Sequence, residues 1–256
     1  MKTLAGAGSD ASAVPQERWE EAQAWEAEYW KQVRNDGPRF VSSLAEMAEC
    51  AAWVEAGVAG DPPTSDDWVE LGVGPFGVGC MHLLGRAVGR RLVGVDPLAL
   101  IPLEDLAFPA PVARLVEACR EGYEHRMAPG EATGLEDGRF GMAFLHNMLD
   151  HVKDPAGVLA ESYRLLRPGG WVVVVCDAFS VLGVAKHTYY TSVRFPTSLE
   201  VKAHPFRFTP PALLSLVVDA GFTVRETQPS TETSLQSFVG RSSRLMVLAQ
   251  RPRPAP

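Results

Sequence analysis

Short, nearly continuous apolar runs recur at 68–72, 91–95, 142–146, 171–177, 222–226 and 244–249, with a weaker one near 123–127. Runs such as "WVVVVC" (171–176) do not alternate with polar residues, as expected of strands buried on both faces. Between them lie helical stretches at about 77–88, 110–121, 155–166 and 210–220. This alternation predicts an α/β fold, a mostly parallel sheet with helices on both faces. "SSRLMVLAQR" follows the run at 222–226 after a short connection and predicts an antiparallel edge strand.

Two helices precede the first strand. "PQERWEEAQAWEAEYWKQVRN" (15–35) has early acids and late basic residues, complementing a helix dipole. Trp19, Ala22, Glu26 and Trp30 share one face, with Trp25 and Tyr29 on an adjacent stripe. A second helix covers about 39–57. The pair reads as an N-terminal cap over 15–60 on a main domain at 61–250, with disordered tails at 1–14 and 251–256. The aromatic stripe either packs onto the main domain or walls a substrate pocket. Residues 179–208 have no clean period and follow a central strand, where open α/β sheets bind ligands.

Composition narrows the function. The formal net charge is −7 over 256 residues, which argues against a general affinity for nucleic acid or an anionic membrane. The four cysteines (Cys50, Cys80, Cys119, Cys176) form no CxxC pair, so neither a disulfide framework nor a metal site is expected. No apolar stretch is long enough to span a bilayer, and a cytoplasmic protein is expected. The sequence leaves the oligomeric state open, a homodimer included.

The candidate chemistry starts in "WVELGVGPFGVGC" (68–80). "GVGPFG" matches GxGxxG, whose glycines permit a tight turn and close approach of a ligand. Asp96 in "GVDPLAL" stands at the end of the second strand, where a carboxylate can accept both hydroxyl hydrogens of a ribose. A nicotinamide dinucleotide and S-adenosylmethionine both fit so far. Glu70 precedes the first glycine by two residues, a position normally apolar in dinucleotide folds. "APGEATGL" (128–135) puts Glu131 where it can meet an adenine amino group, with the amide of Ala132 beside it. "GRFGMAFLHNMLDHVKDPAGVLAESYRLLRPGGWVVV" (138–174) runs strand, turn, helix, glycine turn, strand.

Taken together, "VELGVGPFG", "GVDP", "GEA", "FLHNMLDHVKDP" and "LLRPGGWVVV" resemble class I S-adenosylmethionine-dependent methyltransferases of the small-molecule kind, in that family's order and over about 65–250. The resemblance implies a Rossmann-like seven-stranded sheet with an antiparallel last strand. It departs from the family at Phe76, where many members have glycine. It implies that Glu70, Gly72 and Gly74 surround the methionine part of S-adenosylmethionine, Asp96 the ribose, and Glu131 and Ala132 the adenine. His146 and Asn147 would lie near the sulfonium. The implied products are a methylated O, N or C nucleophile of a small molecule and S-adenosylhomocysteine.

If the nucleophile must lose a proton, His151 and His204 are the candidate bases. Trp30, His187, Tyr189, Tyr190 and Phe206 are the candidate substrate-pocket residues. Two alternatives remain: a non-methylating cofactor-binding protein of the same fold, and an NAD-dependent oxidoreductase.

Overall fold

The computed structural model describes residues 13–85, 89–189, 204–229 and 243–254. The strands are β1 (Asp67–Leu71), β2 (Arg91–Asp96), β3 (Glu124–Met127), β4 (Phe140–His146), β5 (Leu166–Ala178), β6 (Thr223–Pro229) and β7 (Ser243–Gln250). They form one sheet in the order β3-β2-β1-β4-β5-β7-β6. Only β7 runs against the others, pairing antiparallel with both β5 and β6. All seven sequence-predicted strands are present, and the last is antiparallel as expected; it is not the edge strand, however, because β7 inserts between β5 and β6 and leaves β6 at the edge.

Helices cover both faces. They are α1 (Gln16–Val33), α2 (Gly37–Gly57), α3 (Ala110–Arg120), α4 (Pro155–Leu165), α5 (Val181–Tyr189) and α6 (Pro210–Asp219). Successive strand residues face opposite ways. Val69, Leu71, Ala143 and Leu145 join the core under α4 and α6, whereas Trp68, Met142 and Phe144 join the core under α2. A third cluster links Val33 of α1, Phe40 of α2, Phe76, Phe108 and Val116 of α3. Phe76 meets Trp30, Phe40 and Phe108 edge-on, with ring centroids 5.0–5.2 Å apart. The departure at Phe76 is thus a packing choice: the ring fastens the N-terminal helices to the glycine loop.

Four expectations need correction. The helix expected over 77–88 is a run of turns with a 3-10 turn at Cys80–Leu83, residues 86–88 lying outside the described residues. The amides of Cys80 and Met81 donate to the carboxylate of Glu70, which diverts them from a helical ladder. The first third of the 179–208 segment is helical, as α5. Val14, placed in the disordered tail, donates its amide to the Lys153 carbonyl at 2.9 Å.

The last correction concerns the C-terminal tail, which is anchored up to the described limit at Arg253 and Pro254. Arg251 Nη1 donates to the carbonyls of Tyr163 (2.8 Å) and Leu166 (2.6 Å), and Arg253 pairs with Asp61. The Arg251 guanidinium also lies over the Tyr163 ring at 4.5 Å. Arg251→Ala should therefore lower unfolding stability by about 1.5–3 kcal/mol, the size expected for hydrogen bonds from a charged group. A urea midpoint unchanged by this substitution would mean that the tail is not fastened there.

Candidate active site

The site lies where β1, β2 and β4 end. Leu71 pairs with Val95 across β1 and β2, and the Gly72 amide continues the ladder to the Val95 carbonyl at 2.7 Å. The chain then turns sharply, with Gly72 at φ 73° and Gly74 at φ 75°. A side chain at 72 would also meet Met148 Cβ at 2.5 Å. The indole of Trp30 lies on the other side of the loop, 3.3 Å from where a Cβ on Gly74 would stand. The α1 helix therefore closes over the glycine turn, and its aromatic stripe is a cavity wall.

Glu70 is buried, with its oxygens taking the Cys80 and Met81 amides at 3.1 and 3.0 Å. Burial pushes its carboxyl up to about 7, against the pull of the two amides. Gly79 packs directly on this carboxylate, and a Cβ there would overlap it. Asp96 is buried too. Its Oδ2 accepts from Gly74 N–H and its Oδ1 from Leu98 N–H, both at 2.8 Å. Burial raises its carboxyl to about 6, and the negative charge of Glu26 adds to the rise. Neither acid has a cationic partner among the described residues.

The cavity above these groups has a volume of about 620 Å³. Its lining carries the carboxylates of Glu26, Glu46, Glu70, Asp96 and Glu131 and, among the described residues, two arginines, Arg39 and Arg244. Trp19, Trp25, Tyr29, Trp30 and Phe40 supply the aromatic wall. A second, polar depression lies at the other end of the same strands, where β1, β2 and β4 begin. Within it, Asp67 pairs with Arg91 and Arg139, which satisfies its charge.

The expected site residues divide as follows. Glu70, Gly72, Gly74, Asp96, Glu131, His146, Asn147, His151, His204 and Trp30 all line the cavity. Glu131 does so with one oxygen committed, since Oε1 takes the amides of Lys153 and Asp154 at 2.9 Å each. The Ala132 amide donates to the Pro129 carbonyl at 3.1 Å, so the adenine contact expected of it is already spent on a turn. Phe206 is a correction: it is buried in the core, stacked near Phe208 at 6.1 Å, and forms no part of the wall. Tyr189 is another: it is exposed on α5 and does not line the cavity. Tyr190 and the side chain of His187 lie outside the described residues.

The structure adds one residue that sequence reasoning missed. Asp150, in "LDHVKDP", is buried between the two candidate histidines. Its Oδ2 is 2.8 Å from His204 Nδ1 and its Oδ1 is 3.7 Å from His151 Nε2. Burial alone would raise its pKa, but the two imidazoles hold it down at about 2. His151 Nδ1 in turn meets Glu26 Oε1 at 3.0 Å, and the imidazole centroids are 4.2 Å apart. An acid next to a histidine just past a strand was the available signal.

The sheet order and the glycine turn at the strand ends are those of the class I methyltransferase fold. The chain belongs to the family described as the methyltransferase domain, whose model matches residues 14–227. It is 25% identical over 156 residues to the ubiquinone biosynthesis O-methyltransferase of Leptothrix cholodnii, a match covering 55% of this chain and 63% of that protein. The chain thus spans less than two thirds of that relative.

Among solved structures it resembles the 1,6-didemethyltoxoflavin-N1-methyltransferase of Burkholderia thailandensis, solved with 1,6-didemethyltoxoflavin and S-adenosylhomocysteine. The TM-score is 0.62 at 18% identity, covering 96% of this chain and 94% of the other. It also resembles the [4+2]-cyclase SpnF, with a TM-score of 0.54 at 15% identity, covering 80% and 81%. At these identities the likeness is one of fold. Among the described residues no helix is long and apolar enough to cross a membrane.

The raised Glu70 carboxyl gives a prediction. A folded-state value near 7, above the ordinary 4.5, means that its contribution is fully present below pH 4.5 and is lost as pH rises through 7. Between pH 5 and 8 the ligand-free protein should lose roughly 2–3 kcal/mol from this group. Glu70→Gln should flatten that fall, which urea midpoints across the pH range would register.

Proposed function

We propose that the protein transfers a methyl group from S-adenosylmethionine to a nucleophile of a flat small molecule held against the aromatic wall, with an oxygen as the favoured acceptor. One observation carries this reading. Glu70 and Asp96 are buried at the ends of adjacent strands with backbone amides but, among the described residues, no cation for company. Two unbalanced acids in a cavity rimmed mainly by carboxylates suit a ligand that brings positive charge, and S-adenosylmethionine carries both a sulfonium and an ammonium.

The residues present fit that molecule. Each oxygen of Asp96 spends one acceptor position on an amide and has another for a ribose hydroxyl. Glu70 and the glycine turn border the space for the amino-acid end, and the free oxygen of Glu131 borders the space for the adenine. When bound, S-adenosylmethionine supplies an activated methyl with a neutral leaving group. The chain's part is to align and to deprotonate, and alignment of this kind is worth roughly 7–11 kcal/mol.

His204 is the proposed base. Its Nδ1–H donates to the ionised Asp150, which fixes the tautomer and leaves Nε2 as the acceptor for the nucleophile's proton. The Asp150 charge then stabilises the imidazolium. A protein that only binds the cofactor has no use for a base so held, and the pair therefore favours transfer. The Leptothrix cholodnii relative is a ubiquinone biosynthesis O-methyltransferase, which supports oxygen as acceptor.

Two tests follow. Ribose hydroxyls donate to the ionised form of Asp96, so S-adenosylhomocysteine should bind about tenfold more weakly at pH 5 than at pH 7. Asp96→Asn should bind weakly at both values and keep only the smaller pH dependence that Glu70 imposes. Calorimetry finding nicotinamide dinucleotide bound in place of S-adenosylhomocysteine would overturn the reading. In turnover with any accepted phenol, His204→Ala should lower kcat by about 10²–10⁴ and leave the affinity for S-adenosylhomocysteine unchanged. Asp150→Asn should lower kcat in the same direction by less. Turnover insensitive to both would remove the base from the mechanism.

A further inference from the structure

Among the buried side-chain nitrogens that lack a hydrogen-bond partner among the described residues, two line the cavity: His146 Nε2 and Arg244 Nε. They belong to one corner. His146 pairs in register with Val175, Val175 with Met246, and Asp177 with Arg244. Side chains at 146, 175, 244 and 246 therefore project from the same face of the sheet, the one covered by α2. From α2, Glu46 holds Arg244 Nη2 at 2.9 Å, which fixes the guanidinium and leaves its Nε–H unspent. Burial keeps the His146 imidazole neutral, so its unpartnered Nε2 can serve as an acceptor.

The corner thus presents one donor and one acceptor, both sheltered from water. An anion would satisfy the arginine but face the imidazole lone pair and the Glu46 carboxylate. A cation would face the guanidinium. A hydroxyl offers both a donor and an acceptor, the complement of the two nitrogens. The surroundings are aromatic, with Tyr29, Trp30 and Phe40 in the same cavity wall.

We infer that this corner selects a hydroxylated planar ring, phenolic or enolic, whose hydroxyl hydrogen goes to His146 Nε2 and whose oxygen takes the Arg244 Nε–H. The inference rests on the methyl-acceptor reading above and names the acceptor's chemical class. The recognised hydroxyl is distinct from the group deprotonated by His204. Asp150, which holds His204, lies 4.0 Å from the Cys176 thiol, and Cys176 belongs to the core on the opposite face. The substrate accordingly carries two polar groups, one at each face, with a flat body between.

The experiment uses 2-naphthol and 2-methylnaphthalene, alike in shape but with hydroxyl replaced by methyl, titrated into the full chain saturated with S-adenosylhomocysteine. The wild-type protein should bind the naphthol at least about tenfold more tightly, as a site built to hydrogen-bond a hydroxyl rejects the analogue lacking it. His146→Phe and Arg244→Met should each shrink the preference to within about threefold. His146→Gln, which keeps an acceptor oxygen, should retain most of it.

Equal affinity for the two probes, or binding of neither, would overturn the proposal. So would a preference unchanged in both variants. Variants that weaken S-adenosylhomocysteine and spare the preference would assign the corner to the cofactor instead. Failure of S-adenosylhomocysteine to bind the wild type, with the naphthol preference intact, would sink the methyl-transfer reading and leave the corner's selectivity standing.

Discussion

A carboxylate taken out of water must be paid in hydrogen bonds or in positive charge, and Glu70 and Asp96 receive only the first. That shortfall organises the region around them. Glu70 draws two amides onto itself, which replaces a helix by a tight 3-10 turn and requires glycine at 79. Asp96 draws the amide of Gly74, which fixes the path of the glycine turn over the end of β2. The cavity floor is therefore shaped by the same two groups whose charge is left uncompensated. Binding and architecture are not separable here, since weakening either acid would also loosen the turn that positions it.

The strands were legible because burial on both faces leaves near-continuous apolar runs; the place of β7 between β5 and β6 was not, because no local pattern records which neighbours a strand pairs with. The strand-end acids were legible because a charged residue at such a position has few reasons to be there. The segment 77–88 was misread because local pattern cannot register a carboxylate ten residues upstream competing for its amides. Phe206 and Tyr189 were misread for a related reason. An aromatic in an aperiodic stretch can point to core, cavity or water, and only the path of the chain decides which. Arg251 looked like part of a loose tail, yet its guanidinium caps carbonyls at the end of α4 and the start of β5.

Asp150 marks a further limit of sequence reading. Its partner His204 is 54 residues away, and nothing in the spacing announces the pair. What brings them together is the parallel bridge between Ala178 and Phe208, with the Phe206 amide reaching the Asp150 carbonyl at 3.4 Å. The returning chain is thus laid beside the end of β5, and His204 arrives over the loop that follows β4.

The N-terminal helices complete the site and do more than cover it. Trp30 rests on the glycine turn, Glu26 holds the far nitrogen of His151, and Glu46 holds Arg244. Each of the two polar corners, one on each face of the sheet, is therefore finished by a carboxylate from α1 or α2. A helix pair that served only as packing would have no need to send acids to both corners. Because Glu26 and Glu46 reach both corners while His146 and Arg244 rise from the sheet, the helical addition and the strand ends shape the cavity jointly.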